Sequence, residues 1–100
     1  MSRRTPKPRK EDMYQAILQL ETLEECLDFF QDICAETELR SMEQRFEVAS
    51  MLKNNMVYYD IMQKTNASTA TISRVNRMLN TGTGMLEKSL ERMQEKQECE

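Results

Sequence analysis

The stretch TNASTATISRVNRML, residues 65–79, decides how this 100-residue chain is interpreted. It combines small hydroxyl side chains and two arginines with a few apolar residues, and it contains no acidic residue. The apolar residues Ile72, Val75 and Leu79 recur at the i, i+3, i+7 spacing of one helix face. This spacing predicts a helix over residues 69–79 that buries its apolar side and exposes its hydroxyls.

A second short helix is predicted just before it, over residues 58–64. The short TNAS segment separates the two helices, and Ser68 is a good N-cap for the later one. Two short helices joined by a tight turn form a helix-turn-helix motif, here at about residues 58–79. We expect Ile61 and Ala67 to face inward around the turn. Asn66 stands where such turns usually carry glycine, and asparagine adopts positive φ at small cost.

The outward face of the helix over residues 69–79 has the chemistry of a DNA-reading surface. The N-terminal residues of such a helix approach base edges in the major groove. Small hydroxyls let the backbone come close and exchange hydrogen bonds with bases or phosphates, whereas an acid would repel DNA. The simpler alternative is that STATIS is only a capping region built of weak helix formers. The residues expected to project outward are Thr69, Ala70, Thr71, Ser73, Arg74 and Arg77.

The rest of the chain also has a helical apolar period, and no stretch has the pattern of a strand. A stripe covers residues 13–20, and a second helix restarts at Leu23 behind a capping box. A third stripe covers residues 39–52, and a last helix is predicted over residues 85–97 after the break NTGTG. The predicted fold class is therefore all-α with six helices. We expect a flexible basic arm at residues 1–10 and a single helical domain over residues 11–100.

The first two helices carry more apolar surface than two packed helices need. A homodimer that shares these helices is the simplest way to cover it, because a core of about ninety residues is otherwise marginal. The residues concerned are Ile17, Leu18, Leu20, Leu23, Leu27, Phe29, Phe30 and Ile33.

Composition excludes several functional classes. The chain has no histidine, which excludes His-based acid–base catalysis, and a zinc site would need an unusual ligand set, so we expect neither an enzyme nor a metal site. No apolar run approaches the roughly 20 residues that span a bilayer, and no signal peptide follows the basic start, so a cytoplasmic protein is expected. Three cysteines in such a protein are free thiols, and Cys26 and Cys34 are expected in the core.

The net charge of −3 hides a strong segregation of charge along the chain. Residues 1–10 carry five basic side chains and no acid, and residues 11–47 carry eleven acids and two bases. Residues 58–80 carry one acid, Asp60, and three bases. Of these bases, Lys64 and Arg77 are expected to add electrostatic affinity for DNA. Positive charge concentrated in one motif and one arm favours a polyanionic partner.

A resemblance to a known family agrees with this interpretation. The run NNMVYYDIMQKTNASTATISRVNRML, residues 54–79, resembles the DNA-binding half of the Trp repressor family, and ATISR is its most specific part. Together with ELRSMEQRFEVASML, residues 38–52, the chain is most similar to the small Trp-repressor-like YerC/YecD group. The resemblance covers roughly residues 15–95. It implies an intertwined all-α homodimer whose two helix-turn-helix heads read a palindromic operator in double-stranded DNA.

The resemblance also implies roles for individual residues. Tyr58 and Tyr59 would lie near the phosphate backbone, and Arg74 matches the arginine that stacks on the indole of bound tryptophan. Arg45 matches a second ligand-binding arginine, which would complete an effector pocket. Val75 stands where the Trp repressor has glycine, so its branched side chain crowds that pocket and argues against tryptophan as co-repressor. The residues at positions used for groove and phosphate contact are Ser68, Thr69, Ala70, Thr71 and Ser73.

Two functions from different classes follow from the sequence. The first is a sequence-specific DNA-binding transcription regulator, expected to act as a repressor, with no cofactor and with its small-molecule effector open. The second is a helical dimeric adaptor that binds another protein through its acidic helices and does not bind DNA. The acid-free face of the helix over residues 69–79 favours the regulator, because an adaptor has no need of it.

Overall fold

The computed structural model describes residues 8–98, which are helical along most of their length. Six helices follow one another, and no strand occurs in this part of the chain. The prediction of an all-α fold with six helices is confirmed. The helices are α1 (Asp12–Leu18), α2 (Leu23–Ile33), α3 (Glu36–Lys53), α4 (Tyr58–Thr65), α5 (Thr69–Thr81) and α6 (Met85–Glu98). None of these helices is long and apolar enough to cross a membrane.

The start of α2 is set by the predicted capping box. The Thr22 hydroxyl accepts a hydrogen bond from the Glu25 backbone N–H at 3.0 Å. The Glu25 carboxylate in turn accepts from the backbone N–H of Glu21 at 2.9 Å, one residue further out than in the usual box. Two backbone donors at the helix end are thereby satisfied, which contributes about 1 kcal/mol per cap.

The end of α5 lies at Thr81, two residues beyond the predicted end. The Thr81 hydroxyl donates to the Arg77 carbonyl at 2.8 Å, and this bond continues the last turn. Gly82 then ends the helix, and a Cβ at this position would lie 2.6 Å from the Met78 carbonyl oxygen. Gly84 adopts φ of 93°, which favours glycine, and α6 begins directly after it.

The described chain divides into two compact units, and the boundary between them falls inside α3, between Met42 and Glu43. We call residues 8–42 the N-terminal unit and residues 43–98 the C-terminal unit. The helix-turn-helix segment lies entirely within the C-terminal unit. The prediction of one domain over residues 11–100 stays a prediction.

The C-terminal unit contains a buried apolar core. Ile61 and Ala67 belong to it, which confirms the prediction that they face inward around the turn. The stripe predicted for α3 consists of Leu39, Met42, Phe46, Ala49 and Leu52. It is only partly buried, because Phe46 is 38% exposed while Val48, which is not one of these five residues, is fully buried. The buried residues are Val48, Ala49, Ile61, Ala67, Ile72, Val75 and Leu90.

The N-terminal unit has no buried residue among residues 8–42. Leu18 and Leu23 are 74% and 76% exposed, and Leu27 is 58% exposed. The predicted excess of apolar surface on the first two helices is therefore present in the single chain. Cys26 and Cys34, which were expected in the core, are only half-buried, because this unit has no interior in which to place them.

The predicted basic arm, residues 1–10, lies mostly outside the described residues. Pro8, Arg9 and Lys10 are described, and these three residues are exposed and precede the first helix. Cys99 also lies outside the described residues.

Candidate nucleic-acid interface

The turn between α4 and α5 is built around a left-handed asparagine. Asn66 adopts φ of 63° and ψ of 16°, and its backbone N–H donates to the Met62 carbonyl at 2.9 Å. This closes the last turn of α4 in the manner of a helix C-cap. The prediction that Asn66 replaces the usual glycine at positive φ is confirmed.

Thr65 stabilises the turn through two hydrogen bonds of its hydroxyl. Its side chain is nearly buried, and its hydroxyl donates to the Ile61 carbonyl at 2.7 Å. The same oxygen accepts from the Ala67 backbone N–H at 3.2 Å. Thr65 therefore ties the end of α4 to the residue that leads into α5.

A third contact reaches the turn from α3. The side-chain amide Nε2 of Gln44 donates to the Thr65 carbonyl oxygen at 3.1 Å. Carbonyls in the last turn of a helix have no partner within that helix and need one from elsewhere. Gln44, which lies 21 positions earlier in the chain, supplies this partner.

The first turn of α5 is held by a pair of hydroxyls. Ser68 accepts from the Thr71 backbone N–H at 3.1 Å, which confirms Ser68 as the N-cap. The Ser68 hydroxyl also lies 3.2 Å from the Thr71 hydroxyl, to which it donates. Thr71 is half-buried and its hydroxyl is engaged at the cap on the exposed side of the turn, while its predicted outward role in DNA contact stays a prediction.

The remaining face of α5 is exposed as predicted. It offers a hydroxyl and a methyl near the helix N-terminus, another hydroxyl one turn later, and two guanidinium groups. The first turn contains no acidic residue. The exposed residues are Thr69, Ala70, Ser73, Arg74 and Arg77.

The cations of this surface are not neutralised by neighbours. Lys64, Arg74 and Arg77 are exposed, and none of them forms an ion pair with any residue between 8 and 98. Lys53, by contrast, lies 3.6 Å from the Glu87 carboxylate and 3.3 Å from that of Glu91. The three exposed cations of the helix-turn-helix segment are therefore available to an anion, as are Lys88, Arg92 and Lys96 on α6, which form no ion pair within residues 8–98 either.

Two tyrosines begin α4. Tyr58 and Tyr59 are exposed, Tyr59 the more so, and Val57 before them is exposed as well. The N-cap of α4 is Val57, whose side chain has no oxygen to accept from the first-turn N–H groups, so these backbone donors are open to a ligand. Phenol groups at such a helix end are chemically suited to contact phosphate oxygens.

The three residues of the predicted effector pocket differ in environment. The side chain of Val75 is fully buried in the core, whereas Arg74 beside it in sequence is exposed. Arg45 is exposed on α3. A cavity of about 290 Å³ beside α5 is lined instead by polar residues such as Asn76 and Asn80. Within residues 8–98 no cluster of histidine, cysteine or carboxylate side chains could hold a metal ion.

Sequence reasoning missed Gln44 and Thr65. A signal for Gln44 was present, because it lies four residues before Val48 and seven before Met51, on the inward face of α3. A polar residue on an apolar stripe indicates a specific hydrogen-bond partner. No comparable signal marks Thr65, since a threonine at a helix end is ordinary.

Comparisons with known proteins agree with this geometry. A family model described as Trp repressor protein matches residues 10–94. The uncharacterized protein YerC of Bacillus subtilis (strain 168) is 47% identical over 85 residues, which is 85% of this chain and 82% of YerC.

Two solved structures are also similar. A TrpR-like protein from Eubacterium eligens ATCC 27750 has 53% identity and a TM-score of 0.81, covering 83% of this chain and 86% of its own. A candidate Trp repressor from Staphylococcus aureus has 45% identity and a TM-score of 0.81, covering 84% of each chain. Since the family model spans most of the chain and the fold agrees, this chain belongs to the Trp repressor protein family.

Proposed function

We propose that this chain is a sequence-specific DNA-binding transcription regulator that reads a palindromic operator with α5 and acts as a repressor. The observation that carries the proposal is the exposed, acid-free face of α5 together with three exposed cations that no neighbouring carboxylate neutralises. Such a surface attracts phosphate and lets a helix backbone approach base edges.

Each part of the surface has a separate role in this proposal. Thr69, Ala70 and Ser73 contact base edges in the major groove, where methyls and hydroxyls can discriminate between bases. Lys64 and Arg77 contact phosphates, which adds affinity that depends on salt concentration. The hydroxyls of Ser68 and Thr71 hold the helix start, and Ser68 takes the Thr71 N–H, which leaves the backbone N–H groups of Thr69 and Ala70 to a phosphate.

The protein is proposed to bind as a homodimer. The exposed leucines of the N-terminal unit support this, because a unit without buried residues gains its stability from a partner surface. A two-fold symmetric dimer presents two copies of α5, and these would enter successive major grooves about one helical turn apart. The palindrome follows from that symmetry.

Tryptophan is not expected to be the co-repressor. By the resemblance, the Trp repressor has a glycine at the position of Val75, and this glycine leaves room for the ligand. In this chain the Val75 side chain fills that position and is fully buried in the core. Arg74 is then available for a phosphate or for an acid of the partner subunit. An effector of another kind would have to act elsewhere.

The substitution Thr71→Glu tests the proposed surface. Glutamate three residues after Ser68 completes a capping box, so α5 should not be weakened. We expect operator affinity to fall by about 100-fold or more, since like charges brought together cost several kcal/mol. Fluorescence anisotropy with a labelled operator measures the affinity, and thermal unfolding checks that the fold is kept.

Thr37→Glu is the matched control. It makes the same change in the first turn of α3, in the N-terminal unit, and should leave operator affinity unchanged. Unchanged affinity in the Thr71→Glu variant would remove α5 from the interface. Absence of any DNA binding by the unaltered protein at low salt would favour the protein-binding adaptor.

A further inference from the structure

We propose that Gln44 is a positioning residue that holds the helix-turn-helix in its DNA-reading geometry without any bound small molecule. The inference deepens the proposed function and rests on it. It starts from the hydrogen bond between the Gln44 amide and the Thr65 carbonyl, which links α3 to the end of α4.

Loss of this hydrogen bond would leave a largely buried carbonyl without a donor. Gln44 is half-buried and Thr65 is 9% exposed, so water has little access to this carbonyl. A shielded carbonyl without a donor is unfavourable, and the helix end would have to shift toward solvent to satisfy it. The neutral amide of glutamine donates here without bringing a charge into the partly buried site.

A shift of the α4 end at Thr65 would also displace the start of α5. Its hydroxyl bonds to the Ile61 carbonyl on one side and to the Ala67 N–H on the other. Ala67 immediately precedes the N-cap of α5. A displacement of Thr65 therefore moves the start of α5, which is the end proposed to approach base edges.

This arrangement has a consequence for regulation. The bond is internal to the chain, so the reading geometry is set in the free protein and requires no ligand to complete it. Gln44 thus does from within the chain what a small-molecule effector bound at the motif would otherwise do. Operator binding is accordingly constitutive, with its specificity dependent on Gln44.

The test compares Gln44→Met with Gln94→Met in the full chain. Methionine keeps the length of glutamine and removes the donor. Gln94 also donates from its amide to another helix end, here to the Asn54 side-chain oxygen at 3.1 Å, but this bond is exposed and joins α6 to the end of α3 away from the turn. Gln94→Met is therefore a matched control for the loss of one inter-helix amide bond.

Two readouts separate positioning from general stability. Amide hydrogen exchange of the free protein reports on residues 65–71 against the core amides of Ile72 and Val75. The second readout is the ratio of affinities for the selected operator and for random DNA of equal length. For Gln44→Met we expect roughly tenfold faster exchange in residues 65–71, unchanged core protection, and a roughly tenfold lower affinity ratio. Gln94→Met should leave both readouts as they are.

The outcomes are distinct. Unchanged exchange in residues 65–71 of Gln44→Met overturns the proposed bond, and faster exchange with an unchanged affinity ratio overturns the positioning role. If the unaltered protein selects no operator, the proposed function fails, while the exchange measurement still decides on the bond. Should Gln44→Met not fold, Gln44→Glu, which also lacks the donor, repeats the comparison.

Discussion

The N-terminal and C-terminal units of this chain are both helical, yet only one of them has an interior. The C-terminal unit buries seven apolar residues, whereas the N-terminal unit buries none among residues 8–42. The distribution of charge differs as well. Residues 8–42 of the N-terminal unit carry nine acids and three bases, whereas the helix-turn-helix segment within the C-terminal unit is basic. Under the proposed function, the C-terminal unit would present the DNA-reading surface and the N-terminal unit would provide the assembly surface.

The largest effect is expected from Leu27→Asn in the N-terminal unit. In the single chain Leu27 is 58% exposed, and substitution of an exposed residue usually changes stability by less than about 0.5 kcal/mol. If the proposed dimer buries it, two copies together lose roughly 3–6 kcal/mol of apolar burial. We then expect a dissociation constant raised about 100-fold or more, measured by analytical ultracentrifugation.

Asp28→Asn is the control for this prediction. It introduces the same residue at the neighbouring exposed position on the polar side of α2, and it should leave assembly unchanged. A dissociation constant that is the same for both variants would mean that the leucine surface is not the assembly surface. The contrast between the two units would then need another explanation.

A smaller effect is expected from Ile72→Ala in the C-terminal unit. Ile72 is fully buried in the core, and such a truncation lowers the free energy of unfolding by about 3 kcal/mol through lost burial and a residual cavity. Chemical denaturation of the protein, followed through the NMR signals of the α4 and α5 amides, measures this loss of free energy. The loss per chain should not depend on protein concentration, whereas the effect of Leu27→Asn should. Equal concentration dependence for both variants would contradict the separation of core and assembly surface.

The smallest effect is expected at the left-handed asparagines. Asn55 and Asn66 adopt φ of 64° and 63°, so alanine at either position should lower the free energy of unfolding by about 1 kcal/mol. Only Asn66→Ala should also weaken operator binding, because Asn66 lies in the turn that leads to α5. Thermal unfolding and operator titration of both variants check this. Equal loss of operator affinity in the two variants would contradict a specific role of the turn.

Much of the fold could be predicted because local chemistry sets it. The capping residues Thr22 and Ser68, and the left-handed Asn66, act through neighbours within a few positions, so the sequence alone indicates where α2 and α5 begin and where α4 ends. The end of α5 lies two residues beyond the predicted one because the Thr81 hydroxyl, through its hydrogen bond to the Arg77 carbonyl, holds Thr81 on the last turn.

The site was predicted less completely than the fold. Exposure of Arg74 and Arg77 followed from the helix period, but the bond from Gln44 to Thr65 joins residues 21 positions apart and depends on how α3 packs against α4. Periodicity predicts Thr71 on the outward face, but it does not predict the hydrogen bond that its hydroxyl accepts from Ser68. Contacts of these kinds depend on packing, which a single sequence does not specify.

The central claim is that this protein reads a specific DNA sequence without tryptophan. Selection of genomic fragments on the purified protein, with and without L-tryptophan, followed by sequencing, tests it most directly. We expect the same palindrome to be enriched in both conditions, because Val75 fills the pocket position and the turn is held from within. Enrichment only with tryptophan, or no enrichment in either condition, would contradict the claim.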